Sequence, residues 1–137
     1  MIVIACVDDR MGLSFCGRRQ SSDRLLRQDV LQFAAGRPIW MDTYTAAQFS
    51  DCDPACLRTD EAFLSHAGSG ELCFVERQSI LPWKDEIEGV VLYRWNRSYP
   101  STVSFDLPLR SFICTERVNF SGFSHELITR EVYVRDT

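Results

Sequence analysis

The stretch Met1-Ile-Val-Ile-Ala-Cys-Val7, closed by Asp8-Asp9, decides how the rest of the chain is read. It is apolar throughout, rich in β-branched residues and too short for an ordinary helix. It therefore predicts a strand buried on both faces, with helices above and below. Such a strand belongs in the middle of a parallel sheet. Asp8 and Asp9 then fall at its carboxyl edge, where open α/β sheets hold their ligands. The competing reading of Asp-Asp after a strand is a turn start with no ligand.

Outward from this strand, Arg10 to Ser22 contains Gly12, Gly17 and mostly polar residues, and predicts a long loop. Asp23 is placed to cap a helix from Arg24 to about Ala35, with Leu26, Val30, Phe33 and Ala34 on one face and Gly36 ending it. Arg24, Arg27, Gln28 and Gln32 fall on the other face. Pro38-Ile-Trp-Met41 predicts a second buried strand, Thr45 the cap of a brief helix through Phe49, and Ser50 to Arg58 a polar loop. A short helix over Asp60 to Ala67 follows, then strands at Leu72 to Val75 and Gly89 to Trp95, and an extended piece around Val103 to Phe105. Phe112 to Phe120 and Glu126 to Val134 alternate apolar and polar residues, predicting a terminal antiparallel hairpin with one wet face. The whole reads as one three-layer α/β domain over residues 1–137, with a mostly parallel central sheet.

Composition fits that reading, with 45% apolar and 25% charged residues. The net charge of −4 argues against nucleic acid and against an anionic membrane surface, both of which ask for a basic face. No run approaches the roughly 20 apolar residues of a membrane span, and the opening run lacks the flanks of a signal peptide, so a cytoplasmic location is expected. The six cysteines are dispersed, three of them within strand-like runs, and read as reduced thiols. Cys52 and Cys56 form C-x3-C without a second pair to complete a zinc site, so they read as a polar loop and no metal is expected.

The order of elements resembles that of dihydrofolate reductases, and local stretches do as well. Asp29-Val-Leu-Gln-Phe33 is similar to that family's Asp-Leu-x-x-Phe, and Gly36-Arg-Pro-Ile-Trp-Met41 to its Gly-Lys-Pro-Val-Ile-Met. Leu92-Tyr93 with Phe105 resembles its Leu-Tyr-Leu strand and the Phe-Pro that follows, and Glu131-Val-Tyr-Val-Arg135 its last strand. The resemblance implies the fold, and it places Asp29 where the family keeps the acid that protonates substrate. The plainer reading of Asp29 is a solvated helical carboxylate beside Arg27 and Gln28.

Departures limit what the resemblance carries. The family's Gly-Gly, which lets the nicotinamide cofactor approach, is absent from this chain. Its phosphate-gripping Gly-Arg-x-Thr is here Asp42-Thr43-Tyr44-Thr45, with an aspartate that repels phosphate. The Leu-Pro-Trp of the substrate loop is missing between Gly17 and Asp23, although an unrelated Leu81-Pro-Trp83 occurs later, and the chain is short by about one α/β unit. The resemblance therefore implies the fold without the reaction, and no cofactor.

The sequence is also similar to a group of small bacterial proteins labelled ribonuclease Z, through Arg18-Arg-Gln-Ser21, Cys73-Phe-Val-Glu76 and Tyr93-Arg-Trp-Asn-Arg97. That label implies a His-x-His-x-Asp-His metal cluster and an RNA-processing role. With only His66 and His125, far apart in sequence, a two-zinc nuclease site does not assemble.

The remaining candidates for ligand contact are basic. Arg18, Arg19, Arg24 and Arg27 flank the first loop and its helix, and Arg94 with Arg97 brackets Trp95-Asn96. Guanidinium groups beside a Trp can stack bases and hold phosphates. Their alternative is salt bridging to the excess carboxylates, or the seam of a homodimer. Cys16 shares the first loop, but nothing beyond the arginine pair would activate it. The reading is a binding or interaction module, with a small-molecule or nucleotide enzyme second and an RNA-processing protein third. Its expected ligand is a small anion, held between the carboxyl end of the first strand and the Arg18 to Arg27 segment, where the start of the helix also attracts negative charge.

Overall fold

The computed structural model describes residues 1–136. Its centre is β1 (Ile2–Val7), fourth of seven strands in the order β5-β4-β6-β1-β7-β10-β9. Here β4 is Ile39–Met41, β5 Leu57–Thr59, β6 Leu72–Val75, β7 Gly89–Arg94, β9 Phe112–Phe120 and β10 Ile128–Arg135. β1 runs parallel to both neighbours, with Val3 beside Cys73 and Val90. Its side chains alternate between two cores. Val3, Ala5 and Val7 face Phe63, Ile80, Leu92 and Phe105 on one side. Ile4 faces Leu26, Val30, Met41 and Phe74 on the other. Coverage of both faces is what removed the polar alternation from the sequence of this strand.

Helix α1 (Arg24–Ala34) covers the second face with Leu26, Val30 and Ala34, and Asp23 caps it. Ala35 leaves the helix in the left-handed region at φ 53, ahead of Gly36 at φ 84. The first face has no comparable helix. One-turn α3 (Phe63–His66) and the irregular chain carrying Ile80, Ile87, Phe105 and Leu107 cover it instead. Helices both above and below were expected, and this face corrects that.

Further corrections concern short elements. Arg10 to Ser22 is not a plain loop, because β2 (Gly12–Phe15) and β3 (Arg18–Arg19) form a hairpin joined to β8 (Val103–Ser104) in a second small sheet. The hairpin turns at Cys16 and Gly17, both at positive φ, as a two-residue turn between twisted strands requires. The brief helix α2 (Thr43–Ala46) is capped by Asp42, whose Oδ1 accepts the Thr45 N–H at 2.8 Å. Thr45 stands inside the helix, not at its cap. Within the expected loop Ser50 to Arg58, β5 begins at Leu57 as a half-buried edge strand, too exposed to carry an apolar signature. The terminal hairpin pairs Ile128 with Phe120 through Arg135 with Phe112, and β10 joins it antiparallel to β7. β9 is exposed at seven of its nine residues, with only Phe112 buried, because it forms the edge of the sheet. No helix among the described residues is long and apolar enough to cross a membrane.

Candidate functional site

The carboxyl ends of β1, β4 and β6 carry acids, and of these Asp8, Asp42 and Glu76 are held by the protein itself. Asp8 is buried. Its Oδ1 accepts the N–H groups of Arg10 at 2.9 Å and Gly12 at 2.7 Å, and its Oδ2 that of Tyr99 at 3.0 Å. Burial alone would raise its pKa, but these amides, led by that of Tyr99, outweigh burial and hold the carboxyl below its usual range. Asp8 therefore fastens the turn after β1 to the loop after β7. Asp9 is exposed, its amide donating to the Arg97 carbonyl at 2.9 Å.

Across the ends of β4 and β6, Arg19 makes a two-pronged pair with Glu76, Nε to Oε2 at 2.9 Å and Nη2 to Oε1 at 3.1 Å. The Thr45 hydroxyl donates to the same Oε1 at 2.9 Å. Asp42 Oδ2 accepts from Arg77 at 3.1 Å and from Gln78 at 2.7 Å. The Tyr44 ring packs against both guanidinium groups, 4.3 Å from Arg19 and 4.1 Å from Arg77. Arg19 is thus committed to an internal carboxylate.

The other candidates do not gather in one cleft. Arg94 donates to buried Glu131 at 2.6 Å, joined there by Arg117 and the Tyr133 hydroxyl. Asp29 faces inward from α1, and its Oδ2 accepts from the Tyr93 hydroxyl and from Arg130, each at 2.7 Å. Burial and the adjacent Asp29 carboxylate push the Tyr93 pKa well up, so that phenol stays protonated. Arg18, Arg24 and Arg97 are exposed, and none of the three forms an ion pair among the described residues. Arg24 lies over the Phe123 ring at 4.2 Å.

A cluster that sequence reasoning missed joins the start of α1 to the turn between β9 and β10. Asp23 is buried, and its Oδ1 accepts the amides of Leu25, Leu26 and Phe123 at 2.9, 3.2 and 2.9 Å. Its Oδ2 accepts the Ser124 amide at 2.9 Å and lies 2.8 Å from His125 Nδ1. Burial opposes the charge, yet the Phe123 amide, the His125 ring and the remaining donors hold this carboxyl far below the usual range. On the other side of the ring, His125 Nε2 is 2.8 Å from Ser21 Oγ. The imidazole is 7% exposed and packs on Trp95 with ring centroids 4.6 Å apart. Gly122 lets the turn approach, since a Cβ there would lie 2.6 Å from Asp23 Oδ2. Gly122, Phe123, Ser124 and His125 line an open groove of about 480 Å³. The available signal was Ser21-x-Asp23 beside a helix start, with its partner His125 over a hundred positions away. His66, by contrast, stacks near Trp40 and lies 3.7 Å from Asp60, away from this cluster.

A mostly parallel seven-stranded sheet centred on β1, with a terminal antiparallel hairpin on one edge, is the arrangement of a dihydrofolate reductase-like fold. The chain is similar to dihydrofolate reductase from Enterococcus faecalis, solved with NADP(H) and RAB-propyl, at a TM-score of 0.65 and 9% identity, over 99% of this chain and 96% of that one. At that identity the likeness establishes the fold alone. No family model matches the sequence, and no curated protein matches it.

Proposed function

We propose that this protein is a non-reductase binding module on a dihydrofolate reductase-like fold, taking a small anionic ligand at the carboxyl edge of its sheet. One observation carries the reading: Asp8, Asp42 and Glu76, at the ends of β1, β4 and β6, are satisfied internally, while Arg18, Arg24 and Arg97 are exposed and form no ion pair among the described residues. Asp29, the acid at the position of the reductases' proton donor, spends its Oδ2 on Tyr93 and Arg130. A dinucleotide phosphate brought to Asp42 would meet a carboxylate already paired with Arg77 and hydrogen-bonded by Gln78, and would have to break those bonds to bind. The six unpaired cysteines support a reducing compartment and hence the cytoplasm.

The test is calorimetry with NADPH beside thermal melts in phosphate, sulfate and nucleoside phosphates. The expected results are no NADPH binding below about millimolar and a rise in Tm with a phosphate-bearing ligand that Arg18→Ala and Arg24→Ala diminish. Tight NADPH binding with turnover of dihydrofolate would overturn the reading.

A further inference from the structure

We infer that Ser21, His125 and Asp23 form a nucleophilic site that hydrolyses a small carboxylic ester, Ser21 being the nucleophile. This goes beyond anion binding and stands on its own geometry; only the charge assigned to the substrate below rests on the binding reading. A serine, histidine and aspartate in this role are recognised by arrangement and not by sequence position. The serine oxygen and the carboxylate oxygen each lie 2.8 Å from opposite nitrogens of one ring. Asp23 cannot swing away, since Leu25, Leu26, Phe123 and Ser124 all donate to it. The ring cannot tilt freely, since Trp95 lies against one face. Asp23 accepting from Nδ1–H fixes the tautomer, so Nε2 presents its lone pair to the Ser21 hydroxyl.

Ser21 is half-buried, whereas Asp23 and His125 are buried. That gradient, from a fixed acid through a fixed base to a half-buried serine, is what the chemistry requires.

Hydrolysis proceeds in two stages. Ser21 Oγ bonds to the ester carbonyl carbon as His125 Nε2 takes the hydroxyl proton, and the carbonyl π pair moves onto oxygen. As the carbonyl re-forms, the bond from carbon to the alkoxy oxygen breaks, and that oxygen receives the proton from His125. Acyl-Ser21 remains. Water then gives a proton to His125 while its oxygen bonds to the acyl carbon, and Ser21 Oγ leaves with that proton, releasing the acid and restoring the serine hydroxyl. Leu25 and Leu26 direct their amides to Asp23, so those two donors are spent on the carboxylate and not on the oxyanion. Ser21 and His125 are the catalytic residues and Asp23 a positioning residue. Beside them Phe123, 64% exposed, offers an apolar surface and Arg24 a cation over its ring. The substrate class this fits is a short ester with a carboxylate or phosphate on its acyl side.

The experiment uses the full chain with a fluorophosphonate probe and two p-nitrophenyl esters, the neutral acetate and the anionic succinate. Expected are one phosphonyl adduct per chain, placed on Ser21 by peptide mass spectrometry, and ester turnover that falls at least about 100-fold in Ser21→Ala without loss of the folded circular dichroism signal. Absence of an adduct, an adduct on another serine, or Ser21→Ala turning over ester like the wild type would overturn the proposal. The adduct site is read on the wild-type protein, so that measurement is independent of how the variant folds. Arg24→Ala should raise KM for the succinate severalfold more than for the acetate; equal effects on both would refute the anionic substrate while the Ser21 adduct still stood.

Discussion

Replacing Asp23 by alanine should cost about 3 to 5 kcal/mol of folding stability at pH 7, the range for removing one partner of a buried, hydrogen-bonded charge pair. The structure supplies the parts of that figure. Loss of the cap on α1, through the Leu25 and Leu26 amides, accounts for ~0.5 to 2 kcal/mol. The Phe123 and Ser124 amides and His125 Nδ1 lose their acceptor in a region closed by Gly122 and Ile128, at ~1 to 3 kcal/mol for each donor that water fails to reach. Water entering the exposed side of the turn relieves part of this, which keeps the total near the lower sum. Because the folded-state pKa of Asp23 is depressed, its contribution is fully present above the ordinary carboxylate value of about 3.9 and is lost as pH falls toward the folded value. Urea unfolding at pH 7 and in steps from pH 5 to pH 2.5 measures both. The gap between wild type and Asp23→Ala should narrow as the medium is acidified below about pH 4. A loss under about 1 kcal/mol at pH 7, or a gap that stays constant in acid, would refute this role for the junction.

Two further outcomes follow from neighbouring bonds. Glu76→Ala leaves Arg19 and the Thr45 hydroxyl without their acceptor, and with Arg19 23% exposed the cost should be about 2 to 3 kcal/mol, with Glu76→Gln roughly half as damaging by thermal melt; equal effects of the two would deny the charge a role. Burial pushes the Cys73 thiol up to about 12, so iodoacetamide at pH 8 should modify the exposed Cys16 and Cys114 in the native protein and spare Cys73 until denaturant is added, as peptide mass spectrometry would report.

What could be read in advance depended on whether the physics was local. β1 is apolar at every position because both of its faces are covered, and the terminal hairpin is two long runs, so both were legible from composition and length. α1 was legible because Asp23, the apolar spacing and Gly36 agree. The hairpin at Cys16 and Gly17 was hidden because its strands hold two and four residues, and Cys16 is an uncommon first residue for a turn that needs positive φ at both positions. β5 was hidden because an edge strand half open to water has no apolar signature.

The site was harder, for a reason the arginines make plain. Arg19 and Arg94 were noticed as cations, but whether a cation is free depends on where Glu76 and Glu131 lie, and each of those is set by strand order rather than by neighbours in sequence. The same holds for Asp23. Its cap role is local and was visible, yet a carboxylate has two oxygens, and on this one Oδ1 serves the helix while Oδ2 meets His125. That meeting exists only because β10 pairs with β7, which carries the turn at 121–125 over the start of α1 and brings His125 between Asp23 and Ser21. A residue that reads as a complete capping motif in sequence is therefore also the fixed end of a hydrogen-bonded chain leading to a half-buried serine, and topology alone completes it.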